Sequence, residues 1–306
     1  MKHPLPYNPL TQFLFLLFSV LVSFFVINLL GALVAIPVFQ VSFSEMFEIF
    51  EQGDIINHIA FFKYFQILQS FSVFVVPPFI IAWLYSRNSF SFLRLNIPPL
   101  LPIYFLIFLL MFFSIPLINH LVEINQNLSF PESLKSVEQW MSQKEENANQ
   151  IMVEFLKAEN ISALLLNLFM IAVLPAVGEE LLFRGVLQRL IGNWLKNKHV
   201  GIFLAAVLFS AMHLQFYGFL PRLALGILFG YLFLWSGNLW LPIIAHFINN
   251  ATAVIAFYVT RDESFVNKPQ AYDYSLGWIV LSLILVGTVC WFIYYLYRDK
   301  KDPEKI

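Results

Sequence analysis

Residues 161–185 read ISALLLNLFMIAVLPAVGEELLFRG: an uncharged apolar run that ends in two adjacent carboxylates and, four residues on, an arginine. A bilayer core ~30 Å thick is crossed by a helix of about 20 mostly apolar residues, and this run has that length. The fold turns on whether Glu179, Glu180 and Arg184 terminate the helix at a membrane surface or continue inside it.

The rest of the chain makes the same demand on its surroundings. Of 306 residues 59% are hydrophobic and 12% charged, against about 25% charged in soluble domains. Comparable runs lie at 13–39, 67–85, 101–117, 200–214, 220–235, 239–258 and 278–297, and the stretch from 161 makes the eighth. Barrel strands would alternate over ~10 residues, which FLFLLFSVLVSFFVINLLGALVAI does not. The expectation is an all-α polytopic membrane protein of about eight transmembrane helices. The run at 13–39 exceeds the 7 to 15 residues of a signal-peptide core and is kept as the first helix.

Basic loops stay cytoplasmic. That rule places Arg87, Arg94, Lys196, Lys198, Arg298, Lys300 and Lys301 inside, and the acidic loop of Glu45, Glu48, Glu51 and Asp54 outside with the polar stretch 123–159. An even number of spans with both termini cytoplasmic satisfies it, although Arg261 and Lys268 fall outside. The protein is then integral to the plasma membrane, the inner one in a bacterium. A net charge of −1 offers no field for nucleic acid. Cys290 is the single cysteine, which excludes a disulfide or a thiolate zinc site and reads as a small buried hydrophobe. The stretch SFPESLKSVEQWMSQKEENANQIMVEFLKAEN sets Trp140, Met141, Ile151, Met152, Phe155 and Leu156 at helical spacing. It is either an amphipathic linker on the membrane surface or a lid over a substrate. Pro77 and Pro78 should kink the second span, and Gly226 and Gly230 form a GxxxG suited to close helix packing.

Ionisable groups within spans are costly and usually paired or functional. Three clusters qualify: EELLFR at 179–184, FSAMH at 209–213 and HFINN at 246–250. Glu180 and Arg184 share a helix face and can pair. Glu179 is rotated ~100° away and has no cation in helical reach, so pairing leaves it unexplained. His246 and Asn250 share one face of another helix, and His213 lies in a third. A carboxylate, two imidazoles and a carboxamide from three helices can activate water and hold an oxyanion.

These motifs, EExxxR, FxxxH and HxxxN in that order and each beside its own apolar run, resemble those of the CAAX-protease and bacteriocin-processing family of intramembrane endopeptidases, known as CPBP or Abi proteins. The resemblance covers 161–258 and leaves the first three spans and the outer loop without support. It implies an endopeptidase in which Glu179 is general base on a water that His213 positions, His246 and Asn250 stabilise the oxyanion, and Glu180 with Arg184 holds the helix and tunes the base. It also leaves open a divalent metal, zinc on Glu179, His213 and His246, against no cofactor at all. HFINN is not HExxH, so the metalloprotease helix signature is absent. The implied partners are a peptide or protein substrate, lipidated or not, and membrane lipid.

The chain then divides into N-terminal membrane helices with an outer amphipathic loop (1–160), a catalytic core (161–260), and a last span with a basic tail (261–306). Two rival functions use the same residues: a transporter or channel with a Glu/His/Arg polar path, and a proteolytically inactive membrane scaffold. The transporter reading lacks an evident inverted repeat. The protease reading imposes a condition on depth. At ~1.5 Å per residue, His213 and His246 stand ~21 and ~12 Å from the cytoplasmic ends of their helices. Glu179 meets them only if its helix runs on through GEELLFRGVLQRL, with Arg189 near the interface.

Overall fold

The computed structural model describes residues 8–86, 88–128, 130–267 and 274–298; Arg87, Lys268, Lys300 and Lys301 lie outside the described residues. The chain is an all-α polytopic membrane protein, with no strand among the described residues. Among the described residues seven helices are long and apolar enough to cross a membrane, and an eighth apolar helix is shorter. They are α1 (Pro9–Phe39), α3 (Ile59–Tyr85), α4 (Leu101–Gln126), α6 (Ile161–Trp194), the shorter α7 (Lys198–Met212), α8 (Phe219–Ser236), α9 (Trp240–Thr260) and α10 (Leu276–Arg298). Two polar helices join them, α2 (Phe43–Gln52) and α5 (Lys135–Leu156).

Helix starts follow from the polar residue before each run, whose side chain takes up orphan backbone N–H groups. Asn8 accepts from Leu10 N, Asn160 from Ala163 N, and Asn197 from His199 N and Val200 N. Ser42 and Glu45 form a reciprocal capping box on α2. Large side chains such as Phe25, Leu29, Phe105, Ile284 and Trp291 are exposed, as helices facing hydrocarbon require.

Helix α6 is central, packed against α1, α3, α7, α8 and α9, while α10 closes on α4 and α8. It is unbroken through the glutamate motif, so the depth condition is met. Its turns widen to π geometry at Leu168–Val173 and Leu181–Leu187, and α3 does the same at Phe71–Val75. Two of these segments precede Pro175 and Pro77–Pro78. Proline removes an N–H and clashes with the carbonyl four residues back, and a wider turn absorbs both defects without breaking the span. Gly178 lets α6 meet α3 at that point, since a Cβ there would lie 2.8 Å from Phe74 Cβ.

Helix α3 starts at Ile59, eight residues before the apolar run that marked it. The excess contains Lys63, buried with its Nζ 2.7 Å from Asn167 Oδ1, and Asn167 Nδ2 in turn donates to Leu156 O. Cys290 is half-buried on the cluster that joins α4, α8, α9 and α10.

The alternation of spans puts Arg94, Lys196, Lys198 and Arg298 at one end of the bundle, and α2, α5, Arg261 and the turn 213–218 at the other. The basic end is tied together by Arg189 Nη1 to Phe92 O (2.7 Å), Asn238 Nδ2 to Ile97 O (2.8 Å) and Trp240 Nε1 to Leu95 O (3.0 Å).

Candidate active site

Glu180 and Arg184 are one turn apart on α6 and almost wholly buried, at 0% and 1% exposure. Arg184 Nη1 donates to Glu180 Oε1 at 2.7 Å, and its Nη2 reaches across to Gly226 O on α8 at 3.0 Å. One turn on, Gln188 Nε2 donates to Gly230 O. The two glycines of the GxxxG therefore present backbone carbonyls to two polar side chains of α6. A Cβ at Gly230 would stand 2.7 Å from Ile202 Cγ2, and at Gly226 3.0 Å from Ala206 Cβ.

Glu180 has a second partner that helical spacing does not reveal: His246 Nδ1 lies 2.9 Å from the same Oε1. With Nδ1–H donating to the carboxylate, the ring is oriented. The ring stacks on Phe229 at 5.4 Å, and its free Nε2 faces Glu179 Oε2 at 3.9 Å. Glu179 is 8% exposed, and its Oε2 makes no hydrogen bond within the protein. A buried carboxylate oxygen without a donor is rare in stable structures.

His213 follows the last residue of α7, and its Nδ1 is 2.8 Å from Phe209 O. That bond makes Nδ1 the donor and leaves an acceptor lone pair on Nε2. Phe209 serves every neighbour: its ring lies 4.7 Å from Arg184 Cζ, 5.2 Å from the His213 ring and 5.8 Å from the His246 ring. Asn250 Nδ2 donates to Ile171 O, in the π segment of α6, at 3.0 Å, and its Oδ1 accepts from Asn249. Only its second N–H is left for an oxyanion.

Glu179, His213, His246 and Asn250 all line one cavity of about 1070 Å³ at the acidic end of the bundle. Helix α5 contributes Glu145, Asn149, Ile151, Met152, Phe155 and Leu156 to its wall. It is anchored by Val153 and Leu156 packed on Val254 and Phe257, and by Trp140 against Phe216 at 5.4 Å. This polar helix thus forms part of the cavity wall. Tyr217 N donates to Glu145 Oε2 at 3.4 Å, and burial pushes the Glu145 carboxyl above the usual carboxylate range, against the opposing pull of Arg222.

Sequence reasoning missed Arg222. It lines the same cavity from the first turn of α8, held by Gln215 Oε1 and Gln215 O, with its buried Nε unbonded. A lone arginine at the start of an apolar span, with glycine four residues to either side, was the available signal.

The residues named for zinc do not form a ligand shell. Among the described residues no group of three His, Cys, Asp or Glu side chains is placed to hold a metal ion. Nδ1 of each histidine is already bonded, and the remaining nitrogens and Glu179 share the cavity without converging on one point.

Residues 161–252 match a family model described as Rce1-like, type II CAAX prenyl endopeptidase, which bears out the resemblance seen in the three motifs. The uncharacterized protein YpbD of Bacillus subtilis (strain 168) is 35% identical over 89 residues, 28% of this chain and 42% of that protein. The chain therefore aligns to less than half the length of this curated relative. No solved structure matches it.

Proposed function

We propose that this protein is an intramembrane endopeptidase whose catalytic core is 161–260, carried by the membrane helices of 1–160 and followed by a last span and basic tail in 261–306. The observation that carries this reading is Glu179 Oε2, a buried carboxylate oxygen without a partner beside an imidazole oriented by a second carboxylate. The match of 161–252 to a peptidase family supports it.

In this mechanism a water lies between Glu179 and His213 Nε2. Glu179 takes one proton as the water oxygen attacks the scissile carbonyl, and His213 accepts a hydrogen bond from the other, fixing the line of attack. The carbonyl π pair moves onto oxygen. That oxyanion is met by His246 Nε2 in its N–H form, with the ring oriented by Glu180, and by the second N–H of Asn250. Glu179 then passes its proton to the departing amine as the tetrahedral intermediate collapses, and the carboxylate is regenerated. Arg184 pairs with Glu180 and is a positioning residue.

The substrate is a peptide or protein segment, lipidated or not, that reaches the cavity from the membrane or from beneath α5. The test is cleavage of a peptide library by the purified protein in detergent, alongside Glu179→Ala and His213→Ala. Cut products from the wild type that vanish in both variants support the reading. Products that persist in Glu179→Ala, or none from correctly folded wild type, would remove it.

A further inference from the structure

The basic end of the bundle holds a second cavity, about 730 Å³, lined by Ser86, Ser91, Arg94, Arg189 and Tyr297 among others. Ten residues of α6, about 15 Å at 1.5 Å per residue, separate Arg189 from Glu179. Two arginines, Arg94 and Arg189, line this cavity. No Asp or Glu lines it among the described residues.

The scaffold positions both arginines, and neither forms an ion pair among the described residues. Arg94 sits in a left-handed turn (φ 59°), its N bonded to Ser91 O and its O accepting from Leu239 N. Its guanidinium meets no carboxylate and no acceptor among the described residues. Arg189 spends Nη1 on Phe92 O and Gly185 O and lies 4.7 Å over the Phe92 ring, which leaves Nε and Nη2. Tyr297 adds a buried hydroxyl that has no hydrogen-bond partner by geometry among the described residues. Three donors thus share a polar cavity that no Asp or Glu lines among the described residues.

The rim is of the opposite character. Ile97 and Leu101 are 63% and 83% exposed, and Ile97 lines the cavity itself. Trp240, bonded through Nε1 to Leu95 O, stands at the same level, where amphipathic rings meet the headgroup layer. An anionic group that suits two guanidinium forks is a phosphate, and the apolar rim asks that it carry hydrocarbon. Basic cavities between helices at a membrane edge take lipid headgroups for this reason.

We infer that this cavity binds the headgroup phosphate of an anionic phospholipid. Arg94 and Arg189 take the phosphate oxygens, Tyr297 Oη donates a third bond, and an acyl chain lies on Ile97 and Leu101. The inference is independent of the peptidase reading and needs no activity to test.

The full-length protein is placed in phosphatidylcholine nanodiscs, and phosphatidylglycerol is titrated in while bound lipid is counted by native mass spectrometry and melting is followed. Inorganic phosphate is titrated in a second arm. Phosphatidylglycerol is expected to bind in preference to phosphatidylcholine and raise the melting temperature. Arg94→Gln should weaken that binding about ten- to hundredfold, the range for losing a hydrogen bond to a charged group, and Arg94→Lys should restore most of it. Tyr297→Phe removes only an unpartnered hydroxyl, so it keeps the fold and should weaken binding by about five- to tenfold. Protection by phosphatidylglycerol with or without inorganic phosphate supports the inference, provided Arg94→Gln weakens it by about ten- to hundredfold. Protection by inorganic phosphate alone overturns the lipid as occupant. Equal binding of the two lipids, or full phosphatidylglycerol binding in both Arg94→Gln and Tyr297→Phe, overturns the site.

Discussion

Glu180 carries two bonds on one oxygen, from Arg184 at 2.7 Å and from His246 at 2.9 Å, so the two adjacent glutamates fail differently when neutralised. Glu180→Gln leaves Arg184 buried without its counter-charge, a loss of about 3–5 kcal/mol, and frees the His246 ring. Its melting temperature should fall sharply together with its activity. Glu179→Gln replaces a buried carboxyl whose Oε2 no hydrogen bond satisfies. Its melting temperature should hold or rise while cleavage drops by about 10² or more, because an amide cannot accept the proton of water. A Glu180→Gln protein that melts like wild type would contradict this division of roles. The Glu180–Arg184 pair was legible because it lies within one turn. The bond to His246 was not, because its partner sits on another helix, and no periodicity within α6 encodes what α9 brings to it. Asn250 was legible as polar and intramembrane, but its hold on Ile171 O depends on a π turn that residue spacing does not announce.

At the scale of elements, α7 and α8 touch along a line set by glycine. Gly230→Leu would drive a side chain into Ile202 and Gln188, whereas Gly287 on α10 has nothing within 4 Å of its Cβ position. Overpacking costs typically about 1–3 kcal/mol, so Gly230→Leu should lower the melting temperature by several degrees and Gly287→Leu should leave it unchanged. Helix α5 should respond to pH. The Glu145 carboxyl is raised when α5 is docked, so the docked state holds its proton more tightly than the undocked one. Docking is then strongest below the unperturbed carboxylate range and weakens as pH rises through the raised value. Amide exchange in 135–156 should quicken across that window in the wild type and lose the dependence in Glu145→Gln. Exchange that slows as pH rises, once corrected for its intrinsic rate, would reverse the sign and contradict the contact. The apolar face of α5 was readable from spacing, but what it covers was not. Two readings stood open because the cavity beneath it is assembled from helices distant in sequence.

For the whole molecule, the long apolar runs were legible because hydrocarbon demands them, and α7 was found despite its shorter length. The start of α3 was misplaced because Lys63 and Gln66 break the apolar run, and a buried amide at Asn167 makes the lysine tolerable. The described basic and acidic connections sort to opposite ends of the bundle, and a basic end facing the cytoplasm, as the positive-inside rule expects, is a prediction that labelling tests. With Cys290 replaced by serine, a cysteine at Glu48 should react with an impermeant maleimide from outside and one at Lys196 should not. The reverse pattern would invert the bundle and place the large cavity on the cytoplasmic side. The central claim is that one unpartnered carboxylate on an unbroken helix works on water inside the membrane. Its most direct measure is the cleavage rate of the wild type and of Glu179→Gln in proteoliposomes, each normalised to folded protein by its melting transition. The expected result is a loss of about 10² or more at equal or higher stability; equal rates per folded molecule would contradict the claim.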